Sequence, residues 1–321
     1  VELVDLSLKT NKKKNKSSII QQRLLFKLES TIADNKQAVL LLNRRGFSTA
    51  LLCKDCGTPV QCNHCNVSLT LHKGRNKLVC HYCGFTCIAD VVCVQCRSTE
   101  LTPAGFGTER VEEELNHLLP EARIQRIDSD TAADRKRFLK VLSDMHDREI
   151  DILIGTQMIA KGHHFPHVTL VGVVWADGGM SMPDYKAAER TFQLITQVTG
   201  RAGRGEFPGE VIIQTLRPEH YAIQFAKNHQ YQEFFEHEME LRKHPAFPPY
   251  VRLVLLRVQG KLEKSLQQSA MQLARFCRRV AKENDLNLEV LGPAPSPLDK
   301  VRDNYRWQIL LKSISSPMLH D

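Results

Sequence analysis

Apolar residues fall along this chain in two alternating rhythms. Unbroken runs within Val39–Leu42, Asp151–Thr156 and Thr169–Trp175 have the length and continuity of strands buried on both faces of a parallel sheet, and Ile124–Ile127 reads as a short strand beside them. Between them, apolar positions recur three and four apart. Ile19, Ile20, Leu24, Leu28 and Ile32 predict a helix capped by Ser17-Ser18, and Val111, Leu115, Leu118 and Leu119 predict a second over 110–119. A third helix is expected over 134–146 and a fourth over 184–195, the last leading toward a strand at Val211–Thr215. Val1–Leu8 reads as a short extended segment, and lysine-rich Lys9–Lys16 as a solvated loop. Strand and helix in alternation predict an α/β fold built on a parallel sheet.

That rhythm breaks twice. From Cys53 to Cys96 large apolar side chains become scarce and cysteines take their place. From Glu219 a charged helical stretch runs to Lys243, and Pro245, Pro248 and Pro249 then interrupt it. Beyond them lie a strand at 252–258, an amphipathic helix and two strands at 289–291 and 306–311. The helix carries Leu262, Leu266, Ala270, Leu273, Cys277 and Val280 on one stripe, so Cys277 is expected in its core. Three units follow: a discontinuous α/β lobe at 1–52 and 97–218, an insertion at 53–96, and a connecting helix with a small α+β domain at 219–321.

Nine of the ten cysteines lie in the insertion, eight of them in four C-x-x-C pairs: Cys53/Cys56, Cys62/Cys65, Cys80/Cys83 and Cys93/Cys96. Tetrahedral Zn²⁺ takes two such pairs, so eight thiolates make two closed four-cysteine sites. The spacing Cys62-x2-Cys65-x14-Cys80-x2-Cys83 matches a zinc ribbon and favours a nested pairing, with Cys53/Cys56 and Cys93/Cys96 sharing the outer ion. An interleaved cross-brace is the competing arrangement. Redox chemistry suits one C-x-x-C pair but not four together. With no open coordination position, both ions are expected to be structural. Cys87 is left over, and His64, His72 and His81 are not needed as ligands.

Composition narrows the partners. Lys and Arg total 44 against 36 Asp and Glu, a net charge of +8, which favours an anionic partner such as nucleic acid. No apolar run reaches the roughly 18 residues of a membrane span, and no signal-peptide pattern opens the chain. The chain starts at Val1 rather than Met and is expected to be a fragment or a processed product.

The chemistry-bearing stretch is Gln197-Val198-Thr199-Gly200-Arg201-Ala202-Gly203-Arg204. Two arginines three residues apart at a helix end present guanidinium forks suited to phosphate oxygens. Such an arginine can stabilise charge on a phosphoryl group in transfer. Asn43-Arg44-Arg45-Gly46-Phe47 puts two cations and a glycine turn past a strand's carboxyl end, where ligands bind in open α/β sheets. Thr156 arrives at the same edge from the next strand, and Gly162 follows it. Arg302, Tyr305, Arg306 and Trp307 mix cations with aromatics, a combination that can hold nucleic acid by charge and stacking.

Together these residues resemble the second, RecA-like motor lobe of a superfamily 2 helicase. Its last motif is Q-x-x-G-R-x-G-R, matched by Gln197–Arg204, and the motif before it is matched by Gly155-Thr156-Gln157 through Gly162. The two-zinc insertion is more restricted and is similar to that of the PriA family, the primosomal replication-restart helicases. That resemblance extends through Leu41–Phe47, the four cysteine pairs, Gly107-Thr108-Glu109, Ile154–Pro166 and Tyr305-Arg306-Trp307-Gln308. It implies an ATP-dependent 3′-to-5′ DNA helicase of the bacterial cytoplasm that recognises abandoned forks and helps reload the replicative helicase. In that reading Arg204 is the arginine finger and Arg201 its phosphate-binding companion. Gln197, Gly162 and Gly200 line the nucleotide cleft, and Asn43, Arg44, Arg45, Thr156 and Arg306 meet DNA. The implied cofactors are two structural Zn²⁺, with ATP and Mg²⁺ in the intact protein. The implied partners are forked and single-stranded DNA, the single-strand DNA-binding protein, other primosome proteins and the replicative helicase loader.

No G-x-x-x-x-G-K-[ST] phosphate loop and no D-E-x-H quartet occurs in these residues, so this chain alone is expected not to hydrolyse ATP. Two other readings compete. A non-catalytic zinc protein that binds nucleic acid or scaffolds other proteins accounts for the cysteines and the charge, but leaves Gln197–Arg204 unexplained. A RecQ-like helicase also carries zinc, but its metal domain follows the double-arginine motif, whereas Cys53–Cys96 precede it here.

Overall fold

The structure is a computed structural model, and it describes residues 1–7, 18–42, 50–72, 76–103, 107–127, 134–156, 165–200 and 208–315. The chain opens with β1 (Glu2–Asp5), α1 (Gln22–Ala33) and β2 (Gln37–Leu42). The insertion adds β3 (Leu51–Cys53), β4 (Thr70–His72), β5 (Lys77–Val79), β6 (Thr86–Ile88) and β7 (Leu101–Pro103). Next come α2 (Thr108–Leu118), β8 (Ile124–Ile127), α3 (Arg135–His146), β9 (Ile152–Gly155) and β10 (Val168–Trp175). They lead into α4 (Asp177–Met180), α5 (Ala187–Thr199), β11 (Glu210–Thr215), α6 (Tyr221–Lys227) and α7 (Tyr231–Leu241). The last unit is β12 (Arg252–Gly260), α8 (Glu263–Glu283), β13 (Leu288–Val301) and β14 (Asn304–Ser313).

Six strands form one sheet in the order β1-β11-β10-β2-β9-β8, every pair parallel. All six residues of β2 are buried, because helices cover both faces. Alternate side chains divide between two cores. Val39, Leu41, Leu153, Val171 and Val173 meet α3, α5, α6 and α7 on one face. Leu40, Leu42, Ile152, Ile154 and Leu170 meet α1 and α2 on the other. The expected helical stretch after Glu219 is two helices, and Ala222, Ile223, Ala226 and Phe234 from them belong to the lobe's own core. Two buried glutamines brace the sheet. Gln214 Nε2 donates to the carbonyls of Ile19 and Val174, and Gln37 Nε2 donates to those of Met145 and Ile150.

The first helix departs from expectation at its start. Ile19 and Ile20 are buried but precede α1, and Gln21 is its N-cap. Glu114 on α2 explains the change: its carboxylate accepts from Ser18 Oγ at 2.6 Å and from the backbone N–H groups of Ile19 and Ile20 at 3.0 and 2.9 Å. A carboxylate 94 to 96 residues further along the chain thus satisfies backbone donors that a helix start would have left open. The fourth helix is shifted by a few residues, running from Ala187 to Thr199, while Asp184 Oδ1 accepts from Lys186 N–H ahead of it.

The C-terminal unit is a three-stranded antiparallel sheet, β12-β14-β13, with α8 packed on one face. Cys277 packs against that small core with Ala274, Ile309 and Leu311, as its place on the helical stripe predicts. The opposite face meets the cysteine-rich insertion. Its strand β13 runs well past the expected 289–291, because register shifts between Leu291/Ala294 and Pro295/Lys300 let it bend and continue.

Candidate metal centres and nucleotide-cleft residues

Each C-x-x-C pair folds into the same tight turn. The backbone N–H one residue past the second cysteine donates to the carbonyl of the first, in Gly57→Cys53, Asn66→Cys62, Gly84→Cys80 and Arg97→Cys93, at 2.9 to 3.0 Å. The N–H of the first cysteine donates forward to the residue after that, at Thr58, Val67, Phe85 and Ser98. All four turn residues are left-handed, with φ of 71, 50, 83 and 63°. Glycine and asparagine accept that region readily, and they hold three of the four places. Gly57 is fixed for a second reason: a Cβ there would lie 2.5 Å from Cβ of Leu216, so this knuckle sits directly on the end of β11.

The turns bring eight sulfurs together in two sets, Cys53/Cys56/Cys93/Cys96 and Cys62/Cys65/Cys80/Cys83, each with its donor atoms within 4.8 Å of one another. This is the nested pairing. Sγ–Sγ distances are 3.4 Å for Cys53–Cys96, 3.6 Å for Cys56–Cys93 and 3.6 Å for Cys62–Cys83. A tetrahedron with Zn–S bonds of about 2.3 Å has edges of about 3.8 Å. A disulfide would need about 2.05 Å. The donor sets therefore fit a tetrahedral metal and not a disulfide. In the inner set, the hydrogen bond shared with Cys65 pulls the Cys80 thiol down to about 5 and pushes Cys65 up.

The inner centre is also a joint. Between its ligands, His81 Nδ1–H donates to the carbonyl of Pro295 at 2.6 Å, and the buried Gln308 Nε2 donates to the carbonyl of His81 at 2.7 Å. Burial holds the His81 imidazole down to about 4, so it is neutral and serves as a donor at neutral pH. From Tyr82 an aromatic path crosses Phe247, at 6.0 Å, to Tyr185, stacked on Phe247 at 4.9 Å and 2°. Arg242 lies over Tyr185 and ends in Glu189 of α5 at 2.7 Å and Glu238 at 2.8 Å. The metal module is thus fastened to both the lobe and the C-terminal unit. No sequence pattern marked His81 for this role beyond its place between two ligands.

The other candidates divide by location. Thr156 directly follows β9, at the carboxyl edge of the sheet, and is half-buried. Gln197 is half-buried on the last turn of α5, and Gly200 caps that helix with its N–H donating to Thr196. Arg306 sits on β14 in alternation with Gln308 and Lys312, the two residues that face the metal module and Phe247. It is half-buried, with Nε enclosed and unbonded. Asn43, Arg44, Arg45, Gly162, Arg201 and Arg204 lie outside the described residues. Thr156, Gln197 and Arg306 stand on three different elements, and no hydrogen bond among the described residues links them.

Sequence reasoning missed Asp177. It is fully buried past the carboxyl end of β10, accepting from Leu216 N–H at 2.8 Å and Thr215 Oγ1 at 3.1 Å. Burial raises its carboxyl to about 6 against those two bonds and the nearby Arg217. It ties the ends of β10 and β11 together beneath the first knuckle.

A six-stranded parallel sheet of this order, with two closed four-cysteine centres inserted after its second strand, defines a RecA-like helicase lobe carrying a metal module. Family models agree. Residues 91–206 match the helicase conserved C-terminal domain, 62–87 the PriA DNA helicase Cys-rich region, and 243–320 the primosomal protein N C-terminal domain. The chain belongs to the PriA family of replication restart proteins. It is 44% identical over 97% of its length to the Replication restart protein PriA of Bacillus subtilis, covering 38% of that protein. It is 40% identical to the Synechocystis protein of that name and 39% to the Rickettsia felis one, covering 37% and 47% of them. It therefore spans less than half the length of these relatives, and its matches to C-terminal domain models place it in their C-terminal part.

Proposed function

We propose that this chain supplies the second motor lobe, the zinc module and the C-terminal domain of an ATP-dependent 3′-to-5′ DNA helicase. That enzyme recognises stalled or abandoned replication forks and promotes primosome assembly. The observation that carries the reading is the insertion of two four-cysteine clusters between β2 and β8 of a helicase lobe. Arg204 is the arginine finger that stabilises charge on the γ-phosphoryl group, and Arg201 holds a neighbouring phosphate oxygen. Gln197, Gly162 and Gly200 line the nucleotide cleft. Asn43, Arg44, Arg45 and Thr156 meet the DNA backbone from the carboxyl edge, and Arg306 contributes from the C-terminal sheet.

The two zinc ions are structural, since four thiolates fill each coordination sphere. ATP and Mg²⁺ belong to the intact enzyme, where a first lobe supplies a phosphate loop and acidic metal ligands, so this chain alone does not turn over ATP. The partners are forked and single-stranded DNA, the single-strand DNA-binding protein, other primosome proteins and the loader of the replicative helicase. The setting is the nucleoid-associated bacterial cytoplasm. Among the described residues no helix is long and apolar enough to cross a membrane.

The test is Arg204→Ala in the intact protein, with DNA-stimulated ATP turnover and DNA affinity measured together. A motor loses turnover by about 10³-fold or more and keeps its affinity. A zinc-bearing scaffold, the second reading, shows no change in either quantity.

A further inference from the structure

The helix α7 reads Tyr231-Gln232-Glu233-Phe234-Phe235-Glu236-His237-Glu238-Met239-Glu240-Leu241, with four glutamates and no lysine or arginine, in a chain of net charge +8. Phe234 faces inward and stacks on Phe192 of α5 at 4.0 Å. Tyr231, Phe235 and Met239 follow at four-residue spacing on the flank, an apolar stripe turned away from that core. Tyr231 is 64% and Phe235 45% exposed, their rings stacked at 6.5 Å. With Glu189, Phe192 and Gln193 of α5 they line a groove of about 250 Å³.

Charge decides what this groove takes. Glu233, Glu236 and Glu240 are exposed along the outer side of α7. Of the cations nearby, Arg242 lines the groove, but its guanidinium is bound to Glu189 and Glu238 with only 11% of the side chain exposed. Exposed Lys243 pairs with Glu240, so Glu233 and Glu236, which have no ion pair among the described residues, carry the negative charge of the bank. An aromatic groove with an acidic bank repels a phosphate backbone, even though the chain as a whole is basic. It matches an amphipathic protein helix that offers apolar side chains at three- and four-residue spacing between lysines or arginines. Met239 adds a flexible wall that adapts to such side chains. We infer that the α5–α7 groove is a docking surface for a basic amphipathic helix of a partner protein.

The test uses the full zinc-loaded chain and a short fluorescent peptide of leucine and lysine at helical spacing, beside its leucine–glutamate counterpart. The lysine peptide should bind saturably and slow amide exchange over 189–193 and 231–241. Phe235→Ser should weaken it by about tenfold, and Glu236→Lys with Glu240→Lys by about fivefold, with the second loss shrinking as salt is raised. Glu236 and Glu240 are exposed, so the double variant keeps the test valid if Phe235→Ser fails to fold. The inference is overturned by protection elsewhere, by equal affinity of the variants, or by protection of the same segments by a single-stranded oligonucleotide. The last would make the groove a nucleic-acid face. The glutamate peptide protecting these segments as well as the lysine peptide does would also overturn it.

Discussion

Where the chain leaves β2 and returns at β8, it passes between two ways of holding a fold. The lobe is built on apolar contact. Among the described residues, clusters of 21 and 16 buried side chains fill the two faces of its sheet, with leucine, isoleucine and valine making most of each. The cysteine-rich module has a cluster of seven, and three of those are Cys62, Cys65 and Cys80. Its strands are three residues long, too short to hold a sheet by themselves. The lobe's stability is spread over many side chains, so any one change is partial. The module's stability is concentrated at two points.

Removing metal should therefore have the largest effect. Structural zinc contributes on the order of 10 kcal/mol to folding in small zinc domains. Elemental analysis should return two zinc ions per chain, and Cys80→Ser should lower that to one. In the same variant, amide exchange should become fast over 62–88 and at Gln308, whose side chain contacts His81, while β2 and β9 stay protected. Exchange that accelerates equally in the sheet would erase the distinction between the two regions.

A core truncation in the lobe should act the other way round. Leu153→Ala opens a cavity beneath fully buried β9 and should cost about 2 to 5 kcal/mol in chemical denaturation. Zinc stoichiometry should remain two.

A smaller effect separates the seam from both regions. His220 Nδ1 accepts from Ala222 N–H as the N-cap of α6, so it must be unprotonated, and burial first, then Arg217 and His237, holds its imidazole down to about 3. Its contribution is complete above pH 6.5 and is lost as the pH falls through the folded value. By pH 4 the loss is on the order of 3 kcal/mol. Asp177, raised to about 6, has the opposite sign: its contribution is present below pH 3.8 and is lost as the pH rises through 6. His220→Asn keeps a capping acceptor but removes the titration, so denaturation between pH 7.5 and 4 should show a flatter or inverted slope. An unchanged slope would mean that His220 is solvated. The smallest effect is expected from Arg23→Ala, which removes a pair with Glu2 at 2.7 Å on an open surface and should leave the unfolding midpoint unmoved.

How far each region was legible follows from the same contrast. The parallel strands were visible because an interior strand must be apolar at every position, and Val39–Leu42 and Ile152–Ile154 are. The start of α1 was not, because Ile19 and Ile20 keep helical spacing in the sequence while their N–H groups are taken by Glu114, far along the chain. The eight ligands were plain from spacing, but their nested pairing rested on a preference until the turns brought Cys53 to Cys96 and Cys62 to Cys83. The burial of Arg306 was not legible, because alternation along β14 can be counted in the sequence, yet which face meets another unit cannot.

By itself the sequence determined what is local or periodic: strand runs, helix stripes and four C-x-x-C knuckles. Each depends on residues within a few positions of one another, so spacing alone carries it. Tertiary structure alone decided that His81 joins the inner centre to the C-terminal sheet, that Asp177 ties two strand ends, and that Tyr231 and Phe235 stay uncovered beside α5. Those outcomes turn on which distant surfaces meet, and burial and unpaired hydrogen-bonding groups are settled only when they do.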